Sequence, residues 1–326
     1  MARRLDQATI DKAREAVERT GSQTKAARIL GIPRTTMIHH LRESMPAGEI
    51  EEPQWAFPRT TSVEFESGTA LVPCDAHYWP NSDGVTLAHR ALLILCKELN
   101  PRLIVLNGDL MDFGAIGKHG RFGWDRPPTI SAQLDEAEIR TNEIADAAPK
   151  ADLRRTIGNH DVRYDRYLAT AAPQMENVKG MRLADRLERW PGSWSVKVNG
   201  IMVKHRWHQG MHAAFQNVVK SGMTIVTGHT HRLNARPYRD YTGLRWGIEG
   251  GMLNRPTIES SEAGNDPFEY GEDNPSEWTA GFPVLTWHRG KLLPPEFCVC
   301  IDGCAWFRSY LVASDERQKI TVRAAP

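Results

Sequence analysis

The chain has 326 residues, of which 40% are apolar and 25% charged, with a net charge of +1. That length accommodates one large domain plus a small one, and the composition supports a sizeable buried core. Near-neutrality excludes a protein that coats nucleic acid uniformly, and the longest apolar runs, such as residues 91–96, are far too short to cross a bilayer.

The basic start leads into a polar helix rather than an apolar leader, so a cytoplasmic protein with no membrane association is expected. Charge is unevenly placed. Residues 1–46 hold nine Lys/Arg and five Asp/Glu, a net of +4, which leaves −3 for the remainder. The split suggests a nucleic-acid-binding head on a near-neutral body.

Ile10, Ala13 and Val17 recur at helical spacing and predict a helix over 8–19. After the break at Thr20 and Gly21, Ser22 is a suitable N-cap for a second helix over 23–30. Gly31 and Ile32 make a tight turn, and Pro33 sits where the first turn of a helix tolerates it. A third helix over 34–43 turns Met37 and Leu41 inward, while the small Ala26 and Ala27 let the second and third helices cross closely.

This is a helix-turn-helix pattern, and residues 24–36 resemble the Fis-type version of it. The third helix would present Arg34, Thr35, Thr36, His39, His40 and Arg42 to the major groove and phosphates of DNA. The alternative is a small helical cap or dimerisation module. Residues 1–46 are therefore assigned to this all-α domain and 47–68 to a Pro- and Glu-rich linker, with 69–326 forming the body. An edge strand near 63–65 and docking of Trp55 and Phe57 on the body are expected within that linker.

The body alternates strand and helix: a strand over 70–73, a helix over 85–99, a strand over 103–106, a helix over 132–148 and a strand over 153–157. A strand pair over 195–203, a helix over 211–220 and a strand over 224–227 follow. The acidic stretch 259–277 reads as a surface loop. Cys74, Cys96, Cys298, Cys300 and Cys304 read as free thiols, because Cys298 to Cys304 alternate as in a strand and no fourth soft ligand for zinc lies nearby.

Chemistry-bearing residues fall just past the carboxyl ends of these strands, where open α/β sheets place their sites. They form four short motifs: Asp75-Ala76-His77, Gly108-Asp109-Leu110-Met111-Asp112, Gly158-Asn159-His160-Asp161 and Gly228-His229-Thr230-His231. His205 stands alone between the last two. Asp75, His77, Asp109, Asn159, His205, His229 and His231 read together as ligands for two cations, and two such cations roughly 3.5–4 Å apart suit phosphate-ester hydrolysis.

In order and spacing, residues 70–308 resemble the calcineurin-like metallophosphoesterases, whose pattern runs DxH, GDxx(D/N), GNH(D/E), a single His, then GHxH. The run 163–168 and Arg232 are similar to phage and prophage members. The resemblance implies a four-layer α/β/β/α sandwich. It implies that Asp75, His77 and His231 hold one metal and Asn159, His205 and His229 the other. Asp109 would bridge them, since a carboxylate has two oxygens to share. Manganese is the expected ion, with Fe, Zn, Co or Ni also compatible with imidazole, carboxylate and carboxamide ligands.

His160 would face the phosphoryl group or protonate the leaving oxygen, with Asp161 supporting the imidazolium. Asp112 would accept a hydrogen bond from a ligand histidine. His205, not the nearby His208, is taken as the ligand because the apolar strand ends beside it. Arg206 follows where the family has Gly, and a loop over 114–130 carries Lys118, His119, Arg121, Trp124 and Arg126; of these, Lys118, His119, Arg121 and Arg206 are candidate substrate contacts.

The implied activity is hydrolysis of a phosphodiester or phosphomonoester, of a nucleic acid or nucleotide, by attack of a metal-bridging hydroxide. The alternatives are a phosphatase acting on protein or small metabolites, and a DNA-binding regulator or packaging adaptor whose body is structural. A phage-encoded member would work in the cytoplasm of its bacterial host.

Overall fold

The computed structural model describes residues 5–43, 57–80, 85–117, 127–176, 178–255, 277–315 and 323–324. The chain divides into two compact units, Met1–Ala56 and Phe57–Pro326.

The first unit holds α1 (Gln7–Thr20), α2 (Gln23–Leu30) and α3 (Arg34–Glu43). Its boundaries follow from capping chemistry. The Asp6 carboxylate accepts from the Thr9 amide and the Ser22 hydroxyl from the Lys25 amide, while Gly21 and Gly31 close their helices at φ 61° and 64°. Ala13, Ala16, Ala26, Ala27 and Met37 make a small core flanked by Val17, Leu30, Ile32 and Leu41.

The body begins with β1 (Thr61–Val63), β2 (Gly68–Leu71), α4 (Leu87–Leu99), β3 (Leu103–Asn107), α5 (Ile130–Ala147), β4 (Asp152–Thr156) and α6 (Asp161–Ala171). It continues through α7 (Leu183–Arg186), β5 (Gly192–Ser193), β6 (Val196–Val198), β7 (Ile201–Lys204), α8 (Ala213–Ser221), β8 (Ile225–Thr227), β9 (Leu233–Asp240) and β10 (Gly243–Gly250). It ends with β11 (Gly281–His288), β12 (Lys291–Leu292), β13 (Glu296–Ile301), β14 (Cys304–Phe307), β15 (Tyr310–Ser314) and β16 (Arg323–Ala324).

These strands form two sheets. One runs β1-β6-β7-β8-β10-β9, and the other β16-β15-β14-β13-β11-β2-β3-β4-β5, with β12 paired to β11. Period-two alternation feeds two cores from single strands. Leu103 and Val105 of β3 join Ala70, Leu285 and Trp287 against Val196, Val203, Val226 and Ile248 of the other sheet. Ile104 and Leu106, on the opposite face of β3, pack with Leu92 and Leu95 of α4 and Ile144 of α5. Helix α8 lies against β9 and β10.

Strands β2, β3, β4 and β5 are mutually parallel, as are β7, β8 and β10. The motif loops leave from the carboxyl ends of β2, β3, β4, β7 and β8.

Some expectations are met and others shift. Residues 61–63, assigned to the linker, are an edge strand of the body, with Thr61 opposite Val196 and Val63 opposite Val198. Phe57 is buried, with its ring edge-on to Trp194 at 6.1 Å. Trp55 and the 259–276 part of the acidic stretch lie outside the described residues. Beyond the predicted elements stand α6, the β9–β10 hairpin and the antiparallel run from β11 to β15. All five cysteines are free. Among the described residues no helix is long and apolar enough to cross a membrane.

Candidate metal centre

Five loops bring the motif residues together. Asp75, His77 and His231 offer donor atoms within 4.8 Å of one another, as do Asp109, His205 and His229, and as do His77, Asp112 and His160. Asp75, His77, Asp109, His205 and His231 are all at most 4% exposed. His205 Nε2 lies 3.0 Å from Asp109 Oδ2 and 3.3 Å from Asn159 Oδ1, which brings the carboxamide to the second group. His208 does not join it; its ring stacks on Trp207.

The backbone carries an independent mark of the site. Asp75, His77, Asp109, His229 and His231 have φ of 51°, 40°, 52°, 70° and 57°. For residues with a Cβ this left-handed region costs on the order of 1–2 kcal/mol each, and such strain collects where a site over-determines the conformation. Glycines make room for the same loops. A Cβ on Gly228 would come within 2.6 Å of Asp75 Oδ2, and one on Gly158 would overlap the carboxylate and amide of Asp109.

Hydrogen bonds fix the rings. His205 Nδ1 is 2.7 Å from the Asn107 carbonyl; donating there, it leaves Nε2 to act as a ligand. The Asn107 side chain in turn accepts from the Thr156 hydroxyl at 2.7 Å, tying β3 to β4. The His229 amide donates to both Asp75 oxygens, at 3.0 and 2.9 Å. Buried Glu249 accepts from the Thr230 hydroxyl at 2.7 Å and from Arg232 Nε at 3.0 Å, bracing the turn that presents His229 and His231.

Asp161 and Asp112 both depart from the roles expected of them. The fully buried Asp161 carboxylate accepts from the amides of Asp109, Leu110 and Gly158 at 3.0, 2.9 and 3.0 Å, clamping two motif loops. It is committed to backbone and does not orient His160. Asp112 does so, with its backbone carbonyl 3.1 Å and its Oδ1 2.8 Å from His160 Nδ1, while Oδ1 is 3.7 Å from His77 Nδ1. The reason is geometric: Asp161 opens α6 and its side chain turns back under the loops, whereas Asp112 lies across from the imidazole.

Electrostatics follow this arrangement. Burial opposes charging of His205, but Asp109 and Asp75 outweigh it and raise its pKa to about 10. Burial, then His205, lower that of His229 to about 4. Burial also disfavours the Asp109 carboxylate, yet His205 and His160 hold its pKa well below the usual range. His160 is raised: burial opposes it, and Asp109 and Asp112 prevail. Burial and then the Asp109 charge raise Asp161.

Of the residues expected to contact substrate, Arg206 is exposed and lines a cavity beside the centre. Lys118, His119 and Arg121 lie outside the described residues. Sequence reasoning missed Arg163, whose Nη1 donates to the Asp112 carbonyl at 2.8 Å and whose Nη2 lies 3.2 Å from His160 Nε2. Its place one turn past His160 on a helix was the available signal.

In the first unit, Arg34, Thr35 and His39 are exposed and Thr36 is half-buried, while Arg42 lies near the end of α3. His40 departs from expectation. It is only 7% exposed because it sits one helical turn from the buried Met37, on the inward side.

A helix-turn-helix, Psq-domain family model matches residues 6–49, in place of the Fis-type version suggested by the sequence run. The N-terminal segment is thus similar to a known helix-turn-helix family. No curated protein sequence matches the chain. Among solved structures, vacuolar protein sorting 29 from Cryptosporidium parvum is similar at 12% identity, covering 74% of this chain and 96% of its own, with a TM-score of 0.37. At that score the fold rests on the strand order and packing described above.

The buried Asp and His groups are chemically suited to divalent metal ions: imidazole and carboxylate donors converge, their backbones are strained into place, and two buried carboxylates call for nearby positive charge.

Proposed function

We propose that the protein is a dinuclear metal-dependent phosphoesterase carrying a DNA-binding helix-turn-helix. The observation that carries the reading is the meeting of Asp75, His77 and His231 with Asp109, His205 and His229 in one buried cluster assembled from both sheets. Shared packing between the sheets, with helices outside each, fits the four-layer sandwich of the calcineurin-like family. In this reading Asp75, His77 and His231 hold one ion and Asn159, His205 and His229 the other, with Asp109 between them. Two such ions, manganese foremost, supply an acidified water and neutralise charge on the phosphoryl oxygens.

The chain's own residues do the rest. Asp112 holds the His160 ring by Nδ1, which turns Nε2 to contact the phosphoryl group or, when protonated, to give its proton to the leaving oxygen. Arg163, whose Nη1 donates to the Asp112 carbonyl, adds a cation beside that position. Asp161 keeps the Asp109 and Asn159 loops in register by holding their amides.

The test is hydrolysis of aryl phosphomonoesters and phosphodiesters by the full chain with Mn²⁺. Turnover that disappears with chelator and returns with metal is expected; metal-independent turnover, or none on either ester class, overturns the reading.

For the first unit, support comes from the helix-turn-helix match and the exposed Arg34, Thr35 and His39 on α3. Arg34→Ala is expected to weaken duplex-DNA binding and to reduce the slope of log K against log salt by about one phosphate contact, near 0.9. An unchanged slope and affinity would exclude Arg34 from the interface.

A further inference from the structure

A cavity of about 750 Å³ adjoins the second metal group, sharing Asn159 and His205 with it. Away from those two residues its lining changes character. Arg163 and Arg166 come from α6, Lys204 from the end of β7 and Arg206 from just beyond it, and among the described residues no carboxylate contributes. Arg166, Lys204 and Arg206 have no ion-pair partner among the described residues.

A solvated helix face in a chain with 41 basic and 40 acidic residues would mix signs, as surfaces ordinarily do. Two aromatic rings are exposed in the same lining, Tyr167 at 51% and Trp194 at 39%. Such large rings left open to water beside cations that no carboxylate neutralises, with Lys204 Nζ over the Trp207 ring at 5.9 Å, point to a ligand with negative charges and flat faces.

Length narrows the class further. Arg163, Arg166, Tyr167 and Thr170 follow one face of α6, and the seven steps from first to last span about 10 Å at 1.5 Å per residue. A small phosphate ester would end at the metals and Arg163 and leave Arg166 and Lys204 idle. A polynucleotide brings one charge per nucleotide, at steps of about 3.4 Å even when stacked. Stacking on Tyr167 and Trp194 requires bases whose faces are free, so the strand is single.

We propose that this groove seats a single-stranded polynucleotide next to the scissile phosphate, with Arg166, Lys204 and Arg206 on its backbone and Tyr167 and Trp194 on its bases. The inference rests on the phosphoesterase reading and names its substrate class.

The experiment compares kcat/KM for short oligonucleotides with that for an aryl phosphodiester, using the Mn²⁺-loaded full chain. Arg166→Ala combined with Lys204→Ala is expected to lower the oligonucleotide-to-aryl ratio at least tenfold, and Tyr167→Ala, an exposed position, at least threefold. Ratios within twofold of the parent in both variants overturn the proposal, as does a phosphopeptide arm that turns over with this sensitivity while the oligonucleotides do not. Deoxy- and ribo-oligonucleotides of one sequence identify the sugar, and preference for either supports it.

If no ester is hydrolysed, the phosphoesterase reading fails and the groove is still read separately. Photocrosslinking of a 4-thiothymidine oligonucleotide to the metal-free full chain then decides: adducts on residues 161–171 or 194–206 support the groove. Adducts confined to residues 7–43 refute it.

Discussion

Asp109→Asn is expected to abolish Mn²⁺-dependent phosphoester hydrolysis, lowering kcat/KM roughly a thousandfold or more, about 4 kcal/mol at 1.36 kcal/mol per decade. The size follows from how many roles this carboxylate has. Its Oδ2 faces His205 Nε2 at 3.0 Å, its Oδ1 accepts the His160 amide at 2.8 Å, and its charge holds up the protonated forms of both histidines. The amide retains the volume but loses the charge that two cations would share. Asp112→Asn, which acts chiefly through the orientation of His160, is expected to cost less, about 10–100-fold. Steady-state rates on an aryl diester, with metal content measured alongside, check both. A parent-like rate in Asp109→Asn would exclude a bridging role.

Metal binding is expected to raise the melting temperature of the full chain. At an ion concentration about a hundredfold above Kd the gain is near 2.7 kcal/mol, roughly 5–10 °C for a body of this size. The pH dependence has a definite sign. In the metal-free protein the raised pKa of His205, about 10, means that its protonated pairing with Asp109 stabilises the fold below the ordinary imidazole value and fades as pH rises through 10. A metal ion must displace that proton, so the stabilisation by Mn²⁺ grows from pH 6 to pH 8. His229, lowered to about 4, is already neutral across this window and adds no such dependence. Differential scanning calorimetry with and without chelator reads the effect. No shift at saturating metal, or a larger shift at pH 6 than at pH 8, would contradict it.

The candidate site was legible in the sequence to an unusual degree because three of the four motifs pair a donor with a glycine that the geometry needs. Gly158 and Gly228 stand where a Cβ would strike Asp109 and Asp75, so residue type and spacing are both constrained. The helices of the first unit were equally readable, since Asp6, Ser22, Gly21 and Gly31 cap them by local chemistry. Elements without such signals were missed. Helix α6 follows a motif and carries an even spread of charge and aromatic residues, so it lacks a clear apolar period. In β9, small, charged and aromatic residues follow one another along an edge strand that is largely half-exposed or exposed.

What the sequence determined by itself is the donor set: residue types and local spacing carry it, because metal chemistry limits which side chains serve. What tertiary structure decided is how the supporting residues are shared out. Asp161 clamps backbone amides while Asp112 holds His160, although Asp161 is the adjacent residue in the chain. His40 turns inward, and Arg163, Arg166 and Lys204 meet across one cavity from two separate elements. Those outcomes depend on directions and distances between segments far apart in the chain, and no local spacing encodes them.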